Sequence, residues 1–116
     1  MLGQTLEQVA RLRAEGVEFV TGTDAGWRHT TFDAMPNEIR LLTETGMTVV
    51  EAIHAATGKA ADVLGIGGEV GRIQPGQIAD LVVANGDLTQ SIRALGDLSL
   101  VMQAGNPVVQ KAATGL

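Results

Sequence analysis

The sequence predicts an α/β protein, and three observations carry that expectation. Apolar residues make up 45% of the 116 residues while aromatics supply 3% and tyrosine none, so Val, Ile, Leu and Ala must do the packing. As far as about Gly65 the apolar residues fall mainly at helical spacing, and beyond it turn-rich stretches alternate with short β-branched runs. The length suits one ordinary domain with a modest core. The change of grammar near Gly65 divides it into a helical part, residues 1–65, and a β-rich part, residues 66–116.

Thr5 and Gln8 fit a capping box, and Leu6, Val9, Ala10 and Leu12 follow at helical spacing until Gly16, which predicts a helix over residues 5–15. Val17 to Val20 is flanked by glycines and holds only Glu18 as a polar residue, the pattern of a short strand covered on both faces. The run V-T-G-T-D-A-G then places one carboxylate, Asp24, at that strand's C-terminal end. Residues 25–34, A-G-W-R-H-T-T-F-D-A, have no period and read as a loop. Asp33 is placed to cap a helix that carries Pro36 in its first turn and Ile39, Leu41 and Leu42 on its apolar side, with Gly46 as the stop.

Thr48 and Glu51 form a second capping box, before a helix whose small apolar residues are Val49, Val50, Ala52, Ile53 and Ala56. A further helical piece is expected from Lys59 to Leu64, stopped by Gly65. The stretch G-I-G-G-E-V-G-R-I-Q-P-G-Q is turn-rich, with Pro75-Gly76 its most specific signal. Ile78 to Ala84 reads as a strand. Leu98 to Ala104 and Val108 to Val109 read as a hairpin about the turn Gly105-Asn106-Pro107.

Several function classes are excluded at this level. A formal charge of −5 with no basic stripe gives a nucleic-acid backbone nothing to bind. There is no cysteine, hence no disulfide framework and no thiolate metal site. No apolar run approaches membrane-spanning length, and M-L-G-Q-T-L-E-Q lacks the basic start and apolar core of a signal peptide. The expectation is a soluble cytoplasmic chain with neither a nucleic-acid nor a membrane partner.

Four blocks in order, G-T-D-A-G, then E-I-R-L-L-T-E-T-G-M-T-V-V-E-A-I-H-A-A-T-G-K-A-A-D-V-L-G, then G-R-I-Q-P-G-Q-I-A-D-L-V-V-A-N-G-D, then V-M-Q-A-G-N-P-V-V, span about residues 17 to 110. Together they resemble the C-terminal part of the metal-dependent amidohydrolase superfamily, in its imidazolonepropionase-like and prolidase-like branch. The resemblance implies a fold class in detail: the last units of a (β/α)8 TIM barrel in residues 1–65, with Val17 to Val20 as strand eight, and from residue 66 onward the C-terminal strands of a composite β-sandwich. In such barrels the chemistry sits at the C-terminal ends of the strands, which is where Asp24 falls.

The same resemblance implies the site. Asp24 would be the strand-eight aspartate that touches a catalytic zinc, or another divalent metal, and its water, accepting a proton and returning it to the leaving amine. Taken without the family, an isolated aspartate after a strand is a turn or helix cap. Trp27, Arg28 and His29 lie in the loop that would rim the pocket and are candidate substrate contacts, a solvated loop being the plainer state of His29. His54 reads as a partly buried packing or hydrogen-bonding residue, and Asp62 and Asp80 as caps or turn residues.

The family's remaining ligands are an H-x-H pair from the first strand, a lysine or glutamate from the fourth and histidines from the fifth and sixth, and no histidine precedes Asp24 here. A complete barrel takes roughly 250 residues. The expectation is therefore the C-terminal part of an enzyme that hydrolyses C–N bonds of a small amide, cyclic amide or dipeptide. By itself the chain is expected to be inactive and without tightly bound metal. The alternative is a non-catalytic folding or assembly unit. On either reading the exposed faces call for a homo-oligomer or a complementing N-terminal chain.

Overall fold

The computed structural model describes residues 1–111, and the first helix, α1 (Leu2–Ala14), already departs from the capping pattern. It begins three residues before Thr5, which lies inside the first turn, where both its backbone N–H and its hydroxyl donate to the Met1 carbonyl at 3.2 Å. A threonine that bonds back to the i−4 carbonyl is accommodated within a helix and marks no boundary. The stop is where it was expected: Gly16, at φ 91°, takes the left-handed conformation that ends the helix.

The expected strand Val17–Val20 does not form. No ladder involves these residues, Val17 is exposed, and Phe19 and Val20 are only half-buried. A strand exists through its neighbours, and no other segment of the described residues lies alongside this one. Three bonds hold it instead, from the Val17 N–H to the Leu12 carbonyl at 3.0 Å, from the Thr21 N–H to the Ala55 carbonyl at 3.3 Å and from Lys59 Nζ to Glu18 Oε1 at 2.9 Å.

Helix α2 (Met35–Glu44) starts from Ala34 rather than from an Asp33 cap, because the Asp33 carboxylate is already engaged by the Thr31 hydroxyl. Pro36 sits in the first turn, where its missing N–H costs nothing. The capping box of α3 (Val49–Ala56) is complete: the Glu51 N–H donates to Thr48 Oγ1 at 3.1 Å, and the Thr48 N–H donates to Glu51 Oε2 at 2.7 Å. Helix α4 (Gly58–Val63) follows almost without a break and ends, as read, at Leu64-Gly65.

The core is small and alanine-rich. Ile39 and Leu42 of α2 meet Ala52 and Ala55 of α3, and the fifth member of the cluster is Ile92, from the far side of residue 65. Ile92 belongs to a 3-10 helix, Ile92–Gly96, opened by the Ser91 hydroxyl accepting from the Arg93 N–H at 3.3 Å. Sequence reasoning found no element there, since five residues are too few to show a period.

The three strands β1 (Leu81–Ala84), β2 (Leu98–Gln103) and β3 (Asn106–Gln110) pair antiparallel in the order β1-β2-β3, with Val82, Val101 and Val109 in register. β1 begins at Leu81 and not at Ile78, because the Ile78 N–H is spent on the Glu69 carbonyl at 2.8 Å. The hairpin turns at Ala104-Gly105, one residue before the expected Gly105-Asn106-Pro107: Gln103 pairs with Asn106, and the two turn residues both have positive φ, 49° and 80°. That is the two-residue geometry whose twist matches the strands. Pro107 falls in the outer strand at a register shift, where a missing donor is tolerated. The fold is thus a mixed α/β arrangement with a small antiparallel sheet, and no helix of the described residues is long and apolar enough to cross a membrane.

Candidate functional site

Asp24 stands at the end of the segment that follows α1, exposed and at φ 52°. Aspartate is among the few side chains that enter this left-handed region readily, so the residue type suits the turn as well as any chemistry. Beyond it the loop folds back on itself. The Trp27 N–H donates to the Asp24 carbonyl at 3.3 Å, the Gly26 N–H to the Thr30 carbonyl at 2.9 Å, and the Thr30 N–H to the Trp27 carbonyl at 3.1 Å. Gly26, at φ 93°, faces the Phe32 ring, whose Cζ would lie 3.4 Å from a Cβ placed there. Among the described residues the Asp24 carboxylate has neither a hydrogen-bond partner nor an ion-pair partner, whereas that of Asp33 is taken by Thr31.

The candidate substrate contacts share this loop. Arg28 and His29 are exposed, and Trp27 is 70% exposed. Phe32, which sequence reasoning passed over, is 88% exposed, with its ring beside Gly26 in the folded loop. Its signal was compositional: the chain has one Trp and two Phe, and two of these three aromatics fall between residues 25 and 34.

As a metal centre the described residues are incomplete. No group of three or more His, Cys, Asp or Glu side chains converges to hold an ion, so Asp24, His29 and Asp33 do not make one together. Three protein ligands with an open position are the usual minimum for catalytic zinc. One exposed carboxylate supplies one of them.

A cleft of about 230 Å³ lies elsewhere, between α1, residues 16–19, α3 and α4, and Arg13, Glu18, Glu51, His54 and Lys59 are among its lining residues. Its charges are mutually satisfied. Lys59 pairs with Glu18 at 2.9 Å, and Arg13 donates to the Thr45 carbonyl at 3.0 Å and stands 3.9 Å from Glu51. The hydrogen bond from Lys59 holds the Glu18 carboxyl below the usual carboxylate range, and the backbone N–H of Thr48 does the same for Glu51. Groups so engaged tie elements together and are poorly placed to exchange protons with a substrate. His54 is exposed rather than partly buried, with its ring against Gly58.

Asp62 is no cap. It receives both arms of the Arg72 guanidinium, at 2.9 and 2.6 Å, and Asp80, rather than capping a turn of its own, accepts at 2.8 Å from the N–H of Ala104 in the distant hairpin turn.

Comparison with known proteins gives a consistent answer. The profile of the Amidohydrolase family matches residues 1–109. The fold superposes on a candidate prolidase from Bifidobacterium longum with a TM-score of 0.82 and 32% identity, covering 92% of this chain and 27% of that one. A Xaa-Pro dipeptidase solved with methionine in its active site gives a TM-score of 0.82 and 28% identity, over 92% of this chain and 26% of that one. A 5-methylthioadenosine/S-adenosylhomocysteine deaminase from Syntrophomonas wolfei is 25% identical over 92 residues, 72% of this chain and 21% of that protein. The chain therefore spans about a quarter of the length of these solved structures and a fifth of this sequence relative.

Proposed function

The chain belongs to the amidohydrolase family, and from that premise we propose that it is the C-terminal part of a metal-dependent hydrolase of C–N bonds in small amides or dipeptides, with Asp24 as its catalytic carboxylate. The observation that carries this reading is the state of Asp24 itself. It is exposed, it has no partner among the described residues, and it sits on a turn closed by its own backbone carbonyl immediately after the segment that the family resemblance assigns to strand eight. A structural cap would have spent its oxygens on nearby N–H groups, as Thr48 and Ser91 do here.

The donor chemistry fits one ligand of a zinc site, or of another divalent cation, and no more than one. Asp24 would hold the ion together with groups from the remaining three-quarters of the parent fold. A cation bound there supplies water that is acidic enough to deprotonate near neutral pH. Asp24's own part is to take up a proton on one carboxylate oxygen and release it to the departing nitrogen, which requires an oxygen with no competing donor. The exposed Trp27, Arg28 and His29, and Phe32 beside them, would line the substrate's approach. With Asp24 as the single such ligand among the described residues, the chain alone is expected to be inactive and to hold no tightly bound metal.

The two solved relatives, a candidate prolidase and a Xaa-Pro dipeptidase, support dipeptides as the first substrates to try. The test is replacement: the matching quarter of the Bifidobacterium longum protein is exchanged for residues 1–111, and hydrolysis of a panel of Xaa-Pro dipeptides is followed for the chimera and for the isolated chain. Turnover by the folded, zinc-loaded chimera and none by the isolated chain is expected. A folded, metal-loaded chimera inactive on every dipeptide would contradict the reading.

A further inference from the structure

We propose that residues 57–78 form an interlocked joint, closed by the Arg72 guanidinium on the Asp62 carboxylate, that makes the helices and the sheet a single cooperative unit. Nothing in the hydrolytic reading uses these residues, yet Asp62, Gly67, Arg72 and Gln77 are joined there in one set of hydrogen bonds.

The joint begins on α4, where Asp62 accepts from both terminal nitrogens of Arg72, at 2.9 and 2.6 Å. The parallel two-bond arrangement fixes the direction of the guanidinium as well as its distance. Gln77 closes the loop from the other side: its side-chain amide donates to the Gly67 carbonyl at 2.9 Å, and its carbonyl oxygen accepts from the Arg72 N–H at 3.0 Å. Positions 67, 72 and 77 are thereby tied to one another, and through Asp62 to a helix. An exposed ion pair alone adds little stability. A network whose members orient each other is harder to open piecemeal.

Three glycines show how closely the loop is seated. A Cβ at Gly67 would stand 1.9 Å from Asp62 Oδ1. At Gly71, whose φ is +97°, it would stand 2.8 Å from the Ala61 Cβ and 3.1 Å from the Thr57 carbonyl oxygen. At Gly58 it would meet the His54 ring at 3.0 Å and Arg72 Cζ at 3.1 Å. At Gly71 the backbone lies against the backbone of Thr57 and Gly58, while Gly67 and Gly58 lie against the Asp62, Arg72 and His54 side chains.

The joint is one of two anchors across residue 65. The other is Ile92, packed in the helical core with Ile39, Leu42, Ala52 and Ala55. Strand β1 lies between the two, so the sheet leaves the helices only if both give way. Two parts joined in this manner open together, and loosening one anchor lets the sheet open first.

Amide hydrogen exchange on the full chain tests this, comparing peptides from residues 35–56 with peptides from residues 81–103. In the native chain the most protected amides of both regions share one opening equilibrium, visible as a common response to low urea. In Arg72→Met, residues 81–103 lose protection at least tenfold more than residues 35–56. Arg72→Lys, which keeps the charge but not the two-armed geometry, falls between the two, and remains readable if Arg72→Met does not fold. Asp62→Arg combined with Arg72→Asp recovers part of the lost protection. Lys111→Met, which removes the isolated pair of Lys111 with Asp97 at 3.4 Å, changes neither region. Independent opening of the two regions in the native chain, or an equal loss in both regions in Arg72→Met and Arg72→Lys, would overturn the proposal.

Discussion

At the scale of single residues, legibility depended on whether a side chain's meaning was local. Asp24 stands out because an apolar run breaks into a small-residue turn with one carboxylate, a pattern written in consecutive positions, while the role proposed for it rests on the family resemblance. Asp62 was misread as a cap because its partner is ten residues away and joined through a turn-rich loop, a spacing with no periodic signature. Phe32 was missed for a related reason: loops have no period in which an aromatic stands out.

The Asp62–Arg72 pair also gives a pH expectation with a definite sign. The Arg72 hydrogen bonds hold the Asp62 carboxyl below its ordinary value, and the same contact raises that of Arg72. A carboxylate whose folded value is depressed contributes stability that is complete above its unfolded value, about 3.9, and is lost as the pH falls through the folded one. The difference in melting temperature between the native chain and Arg72→Met should therefore be flat from pH 7 to about 5 and should shrink below about pH 4. A difference unchanged down to pH 2.5 would show that the carboxylate's ionisation contributes nothing.

At the scale of elements, helices with complete local signals were read almost to the residue, and elements defined by partners were not. The capping box of α3 lies wholly within Thr48 to Glu51, and the helix starts where that motif puts it. Replacing Thr48 by Ala should cost about 1 kcal/mol, read from urea midpoints at constant m-value. The Val17–Val20 strand failed for the opposite reason, because a strand needs a neighbour to pair with and no segment of the described residues forms a ladder with this one. The hairpin turn was displaced by one position since Ala104 is an unusual occupant of left-handed space, φ 49°, and Pro107 looked like the stronger turn signal. Ala104→Asn, which creates the preferred Asn-Gly pair, should stabilise the hairpin by about 1 kcal/mol. A loss of stability in thermal melts would mean that the turn is not of this type.

At the scale of the whole molecule, the class of the fold and the division of helices from strands were legible, while the joining of the two parts was not, because Ile92 and Arg72 act across the boundary. The surface tells of partners. Val17, Val82, Val83, Val108 and Val109 are all exposed, and all four of these sheet valines lie on outer strands whose outer edges have no partner strand among the described residues and can pair with another chain. We expect the purified chain to self-associate at micromolar concentration, and light scattering checks it. A monodisperse monomer with cooperative melting would show that these faces are tolerated in water.

The central claim concerns Asp24, and the most direct measurement is the pH dependence of kcat/KM for the active Bifidobacterium chimera with and without Asp24→Asn. Asparagine keeps the size and the tolerance of the left-handed turn but cannot take up a proton at neutral pH. If Asp24 moves the proton, Asp24→Asn folds with an unchanged melting temperature and loses at least about a hundredfold in kcat/KM across the profile. A variant that retains full activity and the native pH profile would contradict the account.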